Sequence, residues 1–513
     1  MKTCLTVLFV MCCLACIVNA QEYKRNNNWA LGFEPVIKFN FNTNLSFTIV
    51  SNLNTVPYCF IKSSSSSISD TNGNLLFFSN GFCLYDTSGY SIENGVFVNC
   101  PYGNVLANYY GSSLFDQTSI IIPKKGNQYY VFSTGMSDSV ANNYLNHVYT
   151  EFDVLNYSVV DMDSNNGKGK VVQKNVVLAD KQHYWNTALQ AVKHANGKDW
   201  WLVKADCVNN RYQEFLVKED TILGPFYQYV PLNNTGDFCY FYGQLYFSNN
   251  GNKMASSMYG HLLGTNFYYR NGVDLYDFNR CDGSLTFRKY YAVPEDTISY
   301  PNYDIQVGIC FSPNDSLLYM SNMYSIYQID LQDTNTNNSI FIHGPDTSIA
   351  AFPWYLTLAS APDGKIYIGN DAGTRKYMSY IDKPNIKGLG CQFMPQGLWQ
   401  PYTNLKSPPN MPNYGLGKDT TQVCWPLSNY APVGQTEPWV VYPNPTFNEL
   451  TLVCKGAEQV MVYDVLGRLH LSVPLNKDIV ENKINTATLA QGVYIVKIQR
   501  ADQSVFTTKI IKE

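Results

Sequence analysis

Short apolar runs, each broken by Asn, Asp or Gly, recur along most of this chain, and helical periodicity is nearly absent. One unit recurs six times: an apolar or small-residue strand, a tight turn, then a β-rich strand. The first strands are 65–69, 119–123, 189–194, 244–248, 308–313 and 356–362. Their turns sit at Gly73, Gly126, Gly197, Gly251, Asp315 and Gly364, and the second strands begin near residues 75, 129, 200, 253, 317 and 366. Asn-Gly and Asp-Gly pairs supply the positive φ that a two-residue hairpin requires. A third strand usually follows and often ends at Asp, as in 148–153, 273–277, 326–330 and 378–382. Repeated antiparallel units of three or four strands predict an all-β fold, specifically a β-propeller. The turns recur every ~50–70 residues, so the loops are elaborated beyond those of compact repeats.

The ends of this region suggest how the ring closes. Residues 413–417 read as an inner strand with no partner after it, and 29–33 as a second strand with none before it. The runs 36–41 and 47–50 would be the third and fourth strands. One blade shared between the two ends gives seven blades, and closure removes exposed edges. Six blades follow if the N-terminal strands merely flank the ring. The propeller then spans 21–417. Residues 418–439, with Pro426, Pro432 and Pro438 and no alternation, read as a linker. From 440 to 513 short strands and polar turns predict a small Ig-like β-sandwich.

A length of 513 residues fits two or three domains. Charged residues are 15% of the chain, and its polarity comes from Asn, Ser, Thr and 40 Tyr, a residue suited to half-buried strands. A net charge of -4 leaves no electrostatic footprint for nucleic acid. Residues 1–20 read as a signal peptide. Lys2 is its positive end, the apolar stretch 5–18 is too short to span a bilayer, and Val18-Asn19-Ala20 precedes cleavage at Gln21. Lipidation at Cys16 is the rival reading, opposed by Cys13 where an aliphatic residue belongs. No later segment has the length of a membrane helix. Four of the 14 Cys leave with the signal. The others form no C-x-x-C pair, so zinc and thioredoxin-type chemistry are not expected, and any disulfide pairing stays open.

The C-terminal residues carry a family resemblance. Tyr442-Pro443-Asn444-Pro445 opens the region. Tyr463 and Asp464 follow, with Gly467-Arg468 soon after, then Gly492, Tyr494 and Lys497 in a strand and a Lys-rich end. This order resembles the C-terminal sorting domain of the type IX secretion system. The resemblance implies a folded cargo carried across the outer membrane to the cell surface or medium. Its partners would be the secretion machinery and the protease that removes the tail. The stretch 66–77, Ala191-Val192-Lys193-His194 and 361–367 resemble secreted cargoes of that system with WD40- or YVTN-like repeats. That likeness implies fold and route, not activity.

Chemistry is sparse. The six His form no ligand pair, and nucleophile-elbow, P-loop and dinucleotide motifs are absent, so no cofactor is expected. His194, just before a turn, reads as structural. Asp161, Asp163 and Asn165 offer alternate oxygens before Gly167, as calcium requires. The Gly falls one position late and no Glu closes the loop, so a solvated hairpin between 159–160 and 171–172 explains the same residues. Aromatics cluster before several inner strands: Tyr184, Trp185, Tyr240, Tyr242, Tyr303, Trp354 and Tyr355. At the channel mouth they could stack on a glycan or grip a protein ligand; wedged between blades they would be core. The expectation is a binding or adhesion module rather than an enzyme. The alternative is an extracellular hydrolase or lyase whose site is assembled from distant loops.

Overall fold

The computed structural model describes residues 21–513 apart from 33–34, 51–60, 62, 64, 99–115, 138, 141–151, 183, 185–187, 207–210, 229–237, 262–268, 271, 293–307, 323, 334–338, 345–353, 371–374, 405–407, 422–423, 425–439, 455, 465–466, 480 and 501–504. The chain divides into two compact units, one ending at Trp425 and one from Pro426 to Glu513.

Among the described residues of the first unit, seven antiparallel sheets follow one another in chain order, with three, three, four, four, five, four and four strands. Their first strands are Asn28–Leu31, Ser66–Ser69, Ser119–Pro123, Leu189–Lys193, Phe238–Phe247, Gly308–Phe311 and Leu358–Ser360. Each of these lies beside the first strand of the next sheet, so they ring the centre as the inner strands of seven blades. A blade is covered on both faces by its neighbours. Strands near the centre are therefore buried throughout rather than alternating, as in the second strand Leu317–Ser321, while outer strands such as Leu285–Ala292 are partly exposed. The fold is a seven-bladed β-propeller.

All six repeated turns form where the sequence places them. Gly73, Gly126, Gly197, Gly251, Asp315 and Gly364 all have positive φ. The loops are longer than the expected two residues. The closing bonds, such as Lys124 N to Gln128 O and Ser312 N to Leu317 O, enclose three or four. These lengths suit a type I turn followed by one left-handed residue.

Ring closure differs from the expectation. Residues 413–417 form no strand, and Asn28–Leu31 is the inner strand of its own three-stranded blade, paired to Val36–Asn40. No blade is shared between the chain ends. Blade 1 instead packs face to face on blade 7. Trp29, Leu31, Phe39 and Phe41 pack with Ala359, Tyr367 and Met378. Trp29 meets the Tyr367 ring edge-on at 5.7 Å. Side-chain burial closes the seam where a strand was expected. The supposed linker also begins later, because Asp419 N donates to Ala195 O and Cys424 is disulfide-bonded to Cys281.

The second unit is a sandwich of a three-stranded sheet (Val440–Tyr442, Glu449–Val453, Glu481–Asn485) and a four-stranded one (Leu469–Pro474, Ala457–Asp464, Gly492–Arg500, Val505–Lys512). Leu450, Leu452, Val460, Val462, Ile484, Val496 and Ile510 fill the space between them.

The seam yields a test. Trp29→Ala removes the largest side chain of the blade 1–blade 7 contact. It should cost about 3–5 kcal/mol, read as a lower urea midpoint with an unchanged slope.

Candidate functional site

Inner strands are sheet edges, and their free N–H and C=O groups face the channel, where amide side chains satisfy them. Gln117 spans from blade 3 to blade 5. It donates to Leu245 O at 2.9 Å and accepts from Leu245 N at 2.9 Å. From blade 5, Gln244 donates to Leu358 O at 2.7 Å, and its carbonyl accepts from Ile309 N at 2.9 Å and Leu358 N at 3.2 Å. The third amide comes from outside the blades. Asn410 is 6% exposed and lies in the channel. Its Nδ2 donates to Ser119 O at 3.0 Å and Leu189 O at 2.9 Å. Its Oδ1 accepts from Gln117 Nε2 at 3.2 Å and Gln190 Nε2 at 3.1 Å. Its backbone N–H donates to Ser65 O at 2.7 Å. A residual cavity of about 80 Å³ remains beside this strap, lined by Trp29, Gln190, Gln244, Thr357, Pro409 and Met411.

From Asn410 the strap runs to the end of the channel where the six repeated turns gather. Tyr414 is buried there, with its hydroxyl donating to Ile121 O at 2.8 Å and its ring edge-on to Trp200. Burial holds that phenol well above its usual pKa. The N-terminal segment crosses the same end. Asn26 Nδ2 donates to Pro412 O at 3.1 Å, and Arg25 pairs with Glu22 at 2.9 Å and reaches Ser69 O at 3.4 Å. The turn end of the ring is thus covered by two chain segments. The loops that enter the inner strands lie at the other end.

The expected aromatic site divides. Tyr184 and Tyr355 are 0% and 2% exposed, so these two are core wedges rather than open binding faces. Tyr355 packs edge-on against His343 and Phe393, between blades 6 and 7. Trp354 beside it is half-buried. Trp185 and Tyr303 lie outside the described residues, as do the side chains of Tyr240 and Tyr242.

Tyr184 instead anchors a polar network that sequence reasoning missed. Its hydroxyl donates to Gln213 Oε1 at 2.5 Å, and Lys204 Nζ sits 4.4 Å above its ring. Gln213 Nε2 donates to Gln182 Oε1 at 3.0 Å and to Asp206 Oδ2 at 3.2 Å. Arg211 Nε closes on the same carboxylate at 2.6 Å, with its guanidinium 4.0 Å above the Tyr227 ring. Lys204 and Asp206 are wholly buried. Buried charges persist only when paired, and here each has a fixed partner. Burial, then Asp206, keeps the Tyr184 phenol well above its usual pKa, so it stays a neutral donor. The network fixes Gln182 and Tyr184 at the loop-entry end of blade 4. Its members come from the segment before the inner strand and from the second and third strands of blade 4, so no local motif announces it.

At the calcium candidate the acidic side chains make hydrogen bonds. Asp161 accepts from Asp163 N at 2.9 Å and Gln128 Nε2 at 3.1 Å, and Asp163 accepts from Asn127 Nδ2 at 2.6 Å. Asn165 starts a 3-10 turn over Asn165–Gly167, with φ of 55°. Among the described residues no three His, Cys, Asp or Glu side chains gather as a metal site. His194 is structural: Asn196 N donates to its Nδ1 at 3.0 Å, so its Nε2 carries the proton given to Cys281 O at 2.8 Å.

In the sandwich the motif residues have visible roles. Asn444 acts as a side-chain rung on the last strand, donating to Lys509 O at 3.0 Å and accepting from Ile511 N at 2.8 Å. Asp464 accepts from Arg468 N and Nε at 3.0 and 2.7 Å across a turn that needs positive φ at Gly467. Tyr494 is buried, with its hydroxyl donating to Ala490 O at 3.0 Å. Lys497 lies opposite Met461 and Thr507. Tyr442 is exposed. Residues 440–513 match the family described as the secretion system C-terminal sorting domain. The C-terminal unit is a type IX sorting domain. Beta-agarase D of Zobellia galactanivorans is 31% identical over 94 residues, which are 18% of this chain and 19% of that protein. The chain thus spans about a fifth of the length of this curated relative.

Solved structures resemble the chain more distantly. One is the extracellular domain of a hybrid two component system from B. thetaiotaomicron, at 11% identity and TM-score 0.36, covering 95% of this chain and 55% of that one. Another is the periplasmic gluconolactonase of Pseudomonas aeruginosa, at 9% and 0.34, covering 90% and 98%. The sorting domain implies a secreted cargo, exported to the cell surface or beyond. No described helix is long and apolar enough to cross a membrane.

Asn410 offers the sharpest test of the channel. Asn410→Ala leaves two buried carbonyls without a donor and should cost about 2–4 kcal/mol in denaturant unfolding. Asn410→Asp keeps the shape but aims a carboxylate at Ser119 O and Leu189 O, so it should cost more than the alanine.

Proposed function

We propose that this protein is a secreted or surface-displayed binding module. Residues 1–20 direct it to the periplasm, the sorting domain takes it across the outer membrane, and the propeller holds a glycan or protein ligand without turnover. The observation that carries the binding part is the asymmetry of the ring. Two chain segments cover its turn end, and the amide-bridged strap fills its channel. The loops that enter the inner strands lie at the other end, and there the buried Lys204–Asp206–Arg211 network braces Gln182 and Tyr184. A rim held this firmly presents a ligand surface at low ordering cost. Trp354 is half-buried near the same end, beside the buried Tyr355.

Two experiments separate the parts. A chain ending at residue 439 should fold and accumulate in the periplasm; its appearance at the surface or in the medium would contradict the export route. For the binding part, the exported protein is screened on a glycan and host-protein array. Trp354→Ala and Trp185→Ala are then measured against the best hit. Each should weaken binding by about 2 kcal/mol, roughly thirtyfold in Kd, with the thermal midpoint nearly unchanged. Unfolding of both variants would return these rings to the core.

A further inference from the structure

The strap ends in a covalent bond. Cys424 is disulfide-bonded to Cys281, 143 residues earlier, with the Cα atoms 5.2 Å apart. Between Asn410 and this bond the strap makes further hydrogen bonds beside that of Tyr414. Asn413 Nδ2 donates to Asn249 O at 2.9 Å, Arg280 Nη2 to Gly417 O at 2.6 Å, and Asp419 N to Ala195 O at 2.8 Å. Gly415 lies under Tyr23 and Gly197 under Lys418, each too close for a side chain.

The Cys281 turn of blade 5 is held by blade 4. Trp201 Nε1 of blade 4 donates to Arg280 O at 3.0 Å, and His194 Nε2 donates to Cys281 O at 2.8 Å. Within the turn, Asn279 Oδ1 accepts from Cys281 N at 2.9 Å. One sulfur is thus fixed on the ring, and the strap brings the other to it.

We propose that oxidation of Cys281 and Cys424 locks the ring shut before export, so dithiol oxidation is the class of reaction that must act on this chain ahead of outer-membrane passage. The inference rests on the export reading given above. The co-reactant is a protein disulfide oxidant of the periplasm. The Cys424 thiolate attacks the oxidant disulfide and forms a mixed disulfide, releasing one oxidant thiolate. The Cys281 thiolate then attacks the Cys424 sulfur and expels the second. The two cysteines lose two protons and two electrons, and the oxidant leaves as a dithiol. The locked strap keeps Asn410 in the channel while the tail beyond Trp425 is engaged.

The other described cysteines stay out of this exchange. Cys83, Cys310 and Cys391 are buried thiols outside any disulfide, and Cys454 is buried as well. Burial pushes the Cys83 thiol up to about 11 and the Cys310 thiol up to about 12, so both remain protonated.

The test has two arms. Exported full-length protein is acid-trapped, alkylated without reductant and peptide-mapped. The linked Cys281–Cys424 peptide should dominate, and alkylated Cys281 and Cys424 in the exported pool would overturn the proposal. In the second arm, trypsin cleavage after Lys418 is followed in the double variant Cys281→Ser/Cys424→Ser and in wild type reduced by a phosphine. Cleavage at this exposed residue should be at least tenfold faster than in oxidised wild type, and an unchanged rate in both would also overturn it. The reduced wild type, already folded, covers a variant that fails to fold. Export of a chain lacking 440–513 would defeat the export reading instead, with the linked peptide still present.

Discussion

The rest of this propeller depends on how the edges of its inner strands are satisfied. Inner strands are sheet edges, and their N–H and C=O groups turn toward a shared central channel. A buried unpaired carbonyl costs on the order of 1–3 kcal/mol, so the channel needs donors that reach across it. Gln117, Gln244 and Asn410 supply them, and each joins blades that are distant in sequence. Asn410 reaches blades 2, 3 and 4 through Ser65, Ser119 and Leu189. The chain can therefore leave its two ends unpaired as strands. The strap ties the centre, and the Trp29–Tyr367 packing seals the rim.

This arrangement also polarises the molecule. The strap, the N-terminal segment and the disulfide all lie at the turn end, which makes that end a structural face. The loops that enter the inner strands lie at the opposite end, and loops on a rigid scaffold are where contact residues are usually presented. The Tyr184 network shows how the rim is stiffened there. It uses charges, yet each is bound to a neighbour: Asp206 to Arg211, and Lys204 to the Tyr184 ring and Ala205 O.

Much of the fold was legible because turn chemistry is local. Gly73, Gly197, Gly251 and Gly364 mark their turns by residue type, and even Asp315, which lacks the glycine advantage, takes the left-handed conformation at its expected place. The sorting domain was legible because its motif residues perform nearby hydrogen bonding, as Asp464 does with Arg468. Ring closure was not legible. Residues 413–417 look strand-like by composition, but Pro408, Pro409 and Pro412 precede them, and proline cannot take part fully in a ladder. Those prolines were the available signal for a channel insert. The candidate site failed in part for a related reason. Aromatic residues before inner strands satisfy both a binding face and a blade wedge, and only packing separates Tyr184 and Tyr355, which are core, from Trp354, which is half-buried.

The central claim, that Asn410 is part of the ring's closure, is tested most directly by native-state hydrogen exchange of the oxidised full-length protein. The backbone N–H of Asn410 donates to Ser65 O inside the channel. It should exchange only by global opening, with the same free energy and denaturant dependence as the blade-strand amides of Ile121 and Leu202. Fast, denaturant-independent exchange at Asn410 while those amides stay protected would contradict it. The strap would then be a surface addition to a ring that closes without it.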